Sequence, residues 1–309
     1  MNGSDRRALV TGGAGFVGSH LVERLLDDGV DVTVVDDCSN GSRERVPGGA
    51  RFVEADLTDP GALDGLLDGV DRVWHLAASK VVDTDRPHGQ FEDNTRMTRE
   101  VLEAMAEAGV TEVAYTSSST VYGEAPRPTP EDYAPLEPIS AYGASKLADE
   151  GLLSARAHSH DLTVWNVRFA NVVGPGLRGA VIPDFVEKLR DDPETLTILG
   201  DGRQEKSYLH VTDCVDAMCH VVAHADDAMN TYNLGTRTTT SVDRIAAIVA
   251  DEMGLDPDYE YTGGDRGWTG DVPKMRLSIE KLAALGWEPA LSSDEAVRRA
   301  ARELVAELR

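Results

Sequence analysis

Ala8-Leu9-Val10-Thr11-Gly12-Gly13-Ala14-Gly15-Phe16-Val17-Gly18 is the stretch that decides the fold of this 309-residue chain. A short apolar run stands before the glycines, and Ser19 to Asp28 carries a helical pattern after them. Gly13, Gly15 and Gly18 satisfy G-x-G-x-x-G; Gly12, Gly15 and Gly18 mark the turn itself. Glycine is needed there because the turn is tight and a side chain would block a pyrophosphate. A helix that begins near Gly15 points its free N–H groups at such an anion. The next β-branched run, Val32-Thr33-Val34-Val35, ends at Asp36, 18 residues after Gly18. A carboxylate at that place accepts from both adenosine ribose hydroxyls and repels a 2′-phosphate, which favours NAD over NADP. The plainer alternative for Asp36 is a solvated carboxylate at a strand end.

The same rhythm continues along the first half. Arg51–Ala55, Arg72–Leu76, Glu112–Thr116 and Leu162–Val167 read as strands. Helices are expected near Pro60 to Leu67, over Asn94–Ala108 with a Gly109 stop, and over Ala141–His158. Regular βα alternation with strongly apolar strands predicts an α/β fold: a Rossmann-type, doubly wound parallel sheet covered on both faces. After Gly174-Pro175-Gly176 the rhythm changes, with helices expected over Val181–Leu189, Val211–Ala223 and Ser241–Met253 and a strand over Thr195–Leu199. The expected division is a dinucleotide-binding domain over residues 1–175 and a smaller, partly interleaved C-terminal α/β substrate-binding part over residues 176–309.

Composition narrows the function. The net charge is −24, with only six lysines against 24 arginines, so the chain repels phosphate backbones and a nucleic-acid partner is not expected. The acidic residues are spread along the chain, as in Asp27-Asp28 and Asp226-Asp227, a pattern that fits a halophilic cytoplasm. No run approaches the roughly 18 apolar residues of a membrane helix. The first residues show no apolar leader, so a cytoplasmic location is expected. Cys38, Cys214 and Cys219 form no CxxC pair, and the eight histidines show no metal-ligand spacing, so no metal is expected. His75 and His210 read as structural residues at strand ends.

The second informative stretch is Tyr142-Gly143-Ala144-Ser145-Lys146, preceded by Ser117-Ser118-Ser119-Thr120-Val121-Tyr122-Gly123. Tyr142 and Lys146 are four residues apart on one expected helix and share a face. A free phenol, with a pKa of about 10, is too weakly acidic to act as a base near neutrality. A nearby ammonium and a positive nicotinamide ring both favour the phenolate. Ser118, at the carboxyl end of a strand, is placed to bind the same substrate hydroxyl; Ser119 is the runner-up. Asp56, at the end of the third strand, reads either as a contact to the adenine end or as a cap.

These segments resemble the extended short-chain dehydrogenases/reductases, in particular the sugar-nucleotide epimerases and dehydratases. The resemblance runs through His75-Leu76-Ala77-Ala78, Arg168-Phe169-Ala170-Asn171, Gly200-Asp201-Gly202 and Tyr232-Asn233-Leu234-Gly235. It implies a tightly held NAD, with contacts at Gly12, Gly15, Phe16, Val17, Gly18, Asp36, Asp56, Leu57, Leu76, Ala77, Ala78, Lys80, Asn94, Thr116, Tyr142 and Lys146. It implies Tyr142 as base, Lys146 as its helper and Ser118 as the hydroxyl-binding serine. It also implies substrate contacts at Ser118, Ser119, Thr120, Tyr142 and Asn171, and a homodimer through a four-helix bundle built on Asn94–Ala108 and Ala141–His158. The related dehydratases carry Asp-Glu where this chain has Ser119-Thr120, and Thr120 cannot act as a general acid or base. That leaves oxidation at one carbon and return of the same hydride: epimerisation of a nucleotide sugar, foremost UDP-glucose and UDP-galactose, through a transient 4-keto sugar.

The chain departs from the pattern in two places. Lys206 stands where relatives have an arginine on the substrate diphosphate, a point charge in place of a bidentate fork. Trp268-Thr269-Gly270-Asp271 replaces Arg-x-Gly-Asp, with Arg266 two residues earlier as the substitute cation. Trp268 reads equally as a core or interface aromatic and as a stacking residue. A net dehydrogenase of the same fold and a non-catalytic NAD-binding sensor are the competing readings.

Overall fold

The computed structural model describes residues 6–80, 86, 88–267 and 272–308. The first half runs β1 (Arg7–Thr11), α1 (Phe16–Asp27), β2 (Asp31–Asp36), β3 (Arg51–Glu54), β4 (Arg72–His75), α2 (Gly89–Ala108), β5 (Glu112–Ser118), α3 (Ala141–Ser159) and β6 (Thr163–Phe169). There follow β7 (Asn171–Val173), α4 (Val181–Asp191), β8 (Thr195–Ile198), β9 (Glu205–Lys206), β10 (Tyr208–His210), α5 (Val211–His224) and β11 (Met229–Leu234). The chain ends with β12 (Thr240–Ser241), α6 (Val242–Met253), β13 (Asp258–Tyr261), β14 (Lys274–Met275), α7 (Glu280–Ala284) and α8 (Ser293–Glu307).

A seven-stranded sheet has the order β11-β6-β5-β4-β1-β2-β3. From β3 to β5 the pairs are parallel, with Thr11 opposite Val35 on one side and His75 on the other. The order therefore reverses at β1, between β2 and β4, and ligands of open α/β sheets bind beyond the strand ends at such a reversal. This is the doubly wound sheet the βα rhythm predicts.

The chain divides into two compact units. The first comprises residues 1–121, 141–168 and 218–232; the second comprises 122–140, 169–217 and 233–309. The core of the first gathers Leu9, Val35, Val73, Val113 and Val164 from the strands with Val101, Met105 and Leu153 from α2 and α3. The core of the second is a helical sandwich of α4, α6 and α8, with Phe185, Ile245, Val249 and Leu304 fully buried or nearly so.

Two expectations are corrected. The segment from Pro60 to Leu67 is a series of turns, not a helix, because Gly61 and Gly65 take positive φ (80° and 67°), which an α-helix excludes. Helix α2 begins at Gly89, five residues before Asn94, so Asn94 lies inside the helix and not at its start.

Candidate active site

The glycine turn is built by close approach. Gly12 follows β1 with φ 70°, and a Cβ on it would stand 2.6 Å from the Ala77 backbone nitrogen. A Cβ on Gly18 would stand 2.1 Å from the Gly12 carbonyl oxygen, so the helix packs against the turn only with glycine there. Gly15 is the N-cap of α1, with extended backbone, no side-chain cap and no acidic residue in the first turn. The helix start, carrying Phe16 and Val17, thus keeps N–H donors and positive potential for an anion. Asp36 ends β2 and is 8% exposed. Its Oδ2 accepts from Ala14 N at 2.9 Å and its Oδ1 from Cys38 N at 2.8 Å, which fixes the carboxylate beside the turn. Burial pushes its pKa up and the two backbone donors pull it down. Each oxygen retains lone-pair capacity for a ribose hydroxyl. The cradle and the anchored carboxylate fit NAD.

The loop after β4 is tied to the same turn. Leu76 N donates to the Thr11 carbonyl at 3.1 Å and Ala77 N to Thr11 Oγ1 at 3.3 Å, which sets Leu76-Ala77-Ala78 over the strand ends. His75 is 1% exposed, with Nδ1 2.7 Å from Thr11 Oγ1 and Nε2 3.1 Å from Thr98 Oγ1. Burial, helped by Lys146, holds its pKa down to about 3, so it is a neutral structural residue. The amide of Asn94 is committed to the protein: Oδ1 accepts from Ser79 N at 2.7 Å and Nδ2 donates to Ser145 Oγ at 2.9 Å. It clamps the loop next to the exposed Lys80 onto the Tyr142–Lys146 turn of α3. Asp56 is exposed and accepts from Thr58 N at 2.7 Å, so its present role is that of a turn cap. Leu57 beside it is buried.

The catalytic candidates come from β5 and α3. The three serines after Thr116 differ in their company. Ser117 is buried and donates to Glu150 Oε1 at 2.5 Å. Ser119 is 8% exposed. Ser118 is half-buried, and its Oγ accepts from Thr120 N (3.2 Å) and Thr120 Oγ1 (2.9 Å), so its own proton is left to donate. Lys146 is 2% exposed, and its Nζ donates to the Thr116 carbonyl at 2.8 Å. The same ammonium lies 4.6 Å from the Tyr115 ring centroid and 5.8 Å from that of Tyr142. Burial brings the Lys146 pKa down to about 8, with Lys80 pushing the same way and Asp149 and Glu150 opposing.

The phenol of Tyr142 behaves differently from expectation. Lys146 and a nicotinamide ring together were expected to favour the phenolate. Among the protein's own groups, burial first and Asp149 second raise the Tyr142 pKa. Lys146 is turned towards a carbonyl and the Tyr115 ring, and it does not offset them.

The second unit carries the other candidates. Asn171 lies in β7 opposite Tyr208, and its backbone N–H donates to the Ser207 carbonyl at 3.2 Å. Lys206 lies in β9, between Thr240 of β12 and Met275 of β14, and is half-buried. Arg266 is ion-paired to Glu124 at a cavity of about 500 Å³, whose walls include Arg127, Asp201, Arg203 and Lys274. Sequence reading missed the cations that join Arg266 here; only Arg203, inside the Gly202–Lys206 stretch, had a local signal. Trp268 and Asp271 lie outside the described residues. Among the described residues no group of three or more His, Cys, Asp or Glu side chains is placed to hold a metal, and no helix is long and apolar enough to cross a membrane.

Residues 8–235 match the NAD dependent epimerase/dehydratase family. A UDP-glucose 4-epimerase of Mycolicibacterium smegmatis is 35% identical over 309 residues, covering 95% of this chain and 96% of that protein. The crystal structure of a UDP-galactose 4-epimerase superposes with a TM-score of 0.89 at 41% identity, covering 98% of this chain and all of that one. The Thermotoga maritima UDP-glucose 4-epimerase with UDP-glucose gives 0.90 at 31%, again over 98% of this chain and 100% of that one. The glycine cradle, the anchored Asp36 and the Tyr142–Lys146 pair thus sit in a chain that belongs to the NAD-dependent epimerase/dehydratase family.

Proposed function

We propose that this enzyme epimerises a nucleotide sugar at one carbinol carbon, with UDP-glucose and UDP-galactose as the first pair to test. The observation that carries this reading is the make-up of the candidate site: Tyr142 and Lys146 on one face of α3, Ser118 ending β5 and Thr120 just after it, and no carboxylate at positions 119 and 120. A dehydratase needs an acid and a base for a second proton, and Thr120 supplies neither. The turn from Gly12 to Gly18 and Asp36 would hold NAD, which would supply reversible hydride acceptance at the sugar carbon. Tyr142 Oη takes the proton of the sugar hydroxyl as that carbon becomes a ketone and gives it back on reduction. Ser118 donates its free proton to the same oxygen and holds it in line. Lys146 binds ribose, and its charge favours the phenolate only together with a second positive charge arriving beside the ring. Asn171, Lys206 and Arg266 engage the substrate diphosphate; Arg266 does so by exchanging Glu124 for phosphate, which a guanidinium also binds in bidentate fashion.

The α2 and α3 helices form the homodimer interface in this reading, which rests on the family resemblance and on Phe91 of α2 being 36% exposed. The net charge of −24 supports a salt-rich cytoplasm as its setting.

The test is incubation of the purified protein, without added cofactor, with UDP-, GDP-, CDP- and dTDP-sugars. Inversion of a UDP-hexose with no growth at 340 nm is expected. Steady growth at 340 nm on addition of NAD would instead make the enzyme a net dehydrogenase.

A further inference from the structure

Helix α3 buries two adjacent carboxylates that keep different company. Glu150 is gripped by Arg168, with Nε at 2.9 Å from Oε1 and Nη2 at 2.6 Å from Oε2, and it also accepts from Ser117. Its charge is matched. Asp149 is 1% exposed and forms no ion pair with a guanidinium among the described residues. Its Oδ2 accepts from the Tyr115 hydroxyl at 2.7 Å, and its Oδ1 has no hydrogen-bond partner. Asp149 stands three residues after Lys146 and seven after Tyr142, so the three share one face of the helix. Tyr115 joins them: its hydroxyl bonds Asp149 while its ring lies 4.6 Å from the Lys146 ammonium. Behind the carboxylate stands Thr98 of α2, bonded through His75 to Thr11 at the glycine turn.

We propose that Asp149 is a positioning residue for the proton-transfer pair: its buried charge keeps the Lys146 ammonium charged and holds the Tyr142 phenol protonated until positive charge arrives beside the ring. The proposal rests on the reading of Tyr142 and Lys146 as that pair. A buried ammonium is costly unless a negative charge faces it. Asp149 is the larger of the two charges that oppose desolvation of Lys146, and after burial it is what raises Tyr142. The groups facing it are Lys146, Glu150 and Tyr142 on its own helix, Tyr115 from β5 and Thr98 from α2, with neutral His75 of β4 behind and Lys80 acting through Lys146. Burial pushes Asp149 itself up to about 6, against Lys146, Tyr115 and Thr98. The carboxylate therefore gains its proton as pH falls through about 6, and Lys146 loses its proton as pH rises through about 8. Between those limits the pair has the charges it needs.

The test is Asp149→Asn in the full-length, NAD-containing protein, because the amide oxygen still accepts from Tyr115. Nitrogen-15 NMR of the lysine ammonium groups should show the Lys146 midpoint falling below about 8. The tyrosinate absorbance lost in Tyr142→Phe should titrate at lower pH as well. Shifts of about one unit, a tenfold change in each ionisation constant, are expected. The alkaline limb of kcat should move with them while KM changes little. Tyr115→Phe is the second variant: it keeps the carboxylate and removes its donor, so the acid limb should rise above about 6. Unmoved Lys146 and Tyr142 titrations in folded Asp149→Asn, or an unmoved acid limb in Tyr115→Phe if the first variant does not fold, would overturn the proposal. Shifted titrations in a protein without epimerase activity would leave it standing and sink the functional reading instead.

Discussion

Both units carry ion pairs at the surface, but a cluster of buried charges in the first contrasts with a surface network in the second. In the first, Lys146, Asp149, Glu150 and Arg168 are all buried, and each is held by a partner a few residues or a few strands away. In the second, Arg237, Arg244, Arg298 and Arg302 hold carboxylates at the surface, as in Arg244–Asp294 at 2.9 Å and Arg302–Glu252 at 3.0 Å. The buried charges interact through a medium that screens little, and Asp149 and Glu150 both act on the ionisation of Lys146. The surface pairs are solvated and screened and contribute little individually. The proposed proton-transfer pair lies where desolvation makes charge expensive.

The comparison is broken first at Tyr142. Tyr142→Phe keeps the ring and loses the proton carrier, and turnover should fall by ~10²–10⁴-fold or more. Bound NAD, measured by release on denaturation, should change little because Gly12, Gly18 and Asp36 are untouched. Near-normal turnover would move the base elsewhere.

Next is the matched buried pair. Glu150→Gln leaves Arg168 buried without its counter-charge, and breaking such a pair costs about 3–5 kcal/mol. Chemical denaturation should show a loss of that order, and the loss should persist in molar KCl.

The surface pairs give the smallest effect. Arg298→Ala removes bonds to Asp251 and Glu252 and should cost at most about 1 kcal/mol, less in salt. For the whole protein the sign reverses. A net charge of −24 destabilises the fold by self-repulsion, and this outweighs scattered pairs, so the melting temperature should rise towards molar KCl. A flat profile would count against the halophile reading.

Much of this was legible in the sequence, and the limits have physical causes. The strand–glycine–helix unit and Asp36 are local patterns, and Tyr142 and Lys146 need only helical periodicity to share a face. The expectation of a helix at Pro60–Leu67 fails because Gly61 and Gly65 turn the chain left-handed. Helix α8 went unread although Ser292 and Glu295 form a capping box, the strongest local start signal in that half. Asp149 looked like any helical carboxylate, because its meaning depends on Tyr115, 34 residues away, and on Thr98. The cations gathered around Arg266 come from two separate loops and from β14, which no local pattern joins.

The central claim is that one hydride leaves and returns to one sugar carbon while Tyr142 carries only the hydroxyl proton. Proton NMR of UDP-glucose incubated with the enzyme in D₂O tests it most directly. The account predicts UDP-galactose that retains protium at C4, with no deuterium entering any ring carbon. Deuterium at C4 or C5 of the product would show that carbon exchanges with solvent and would contradict it.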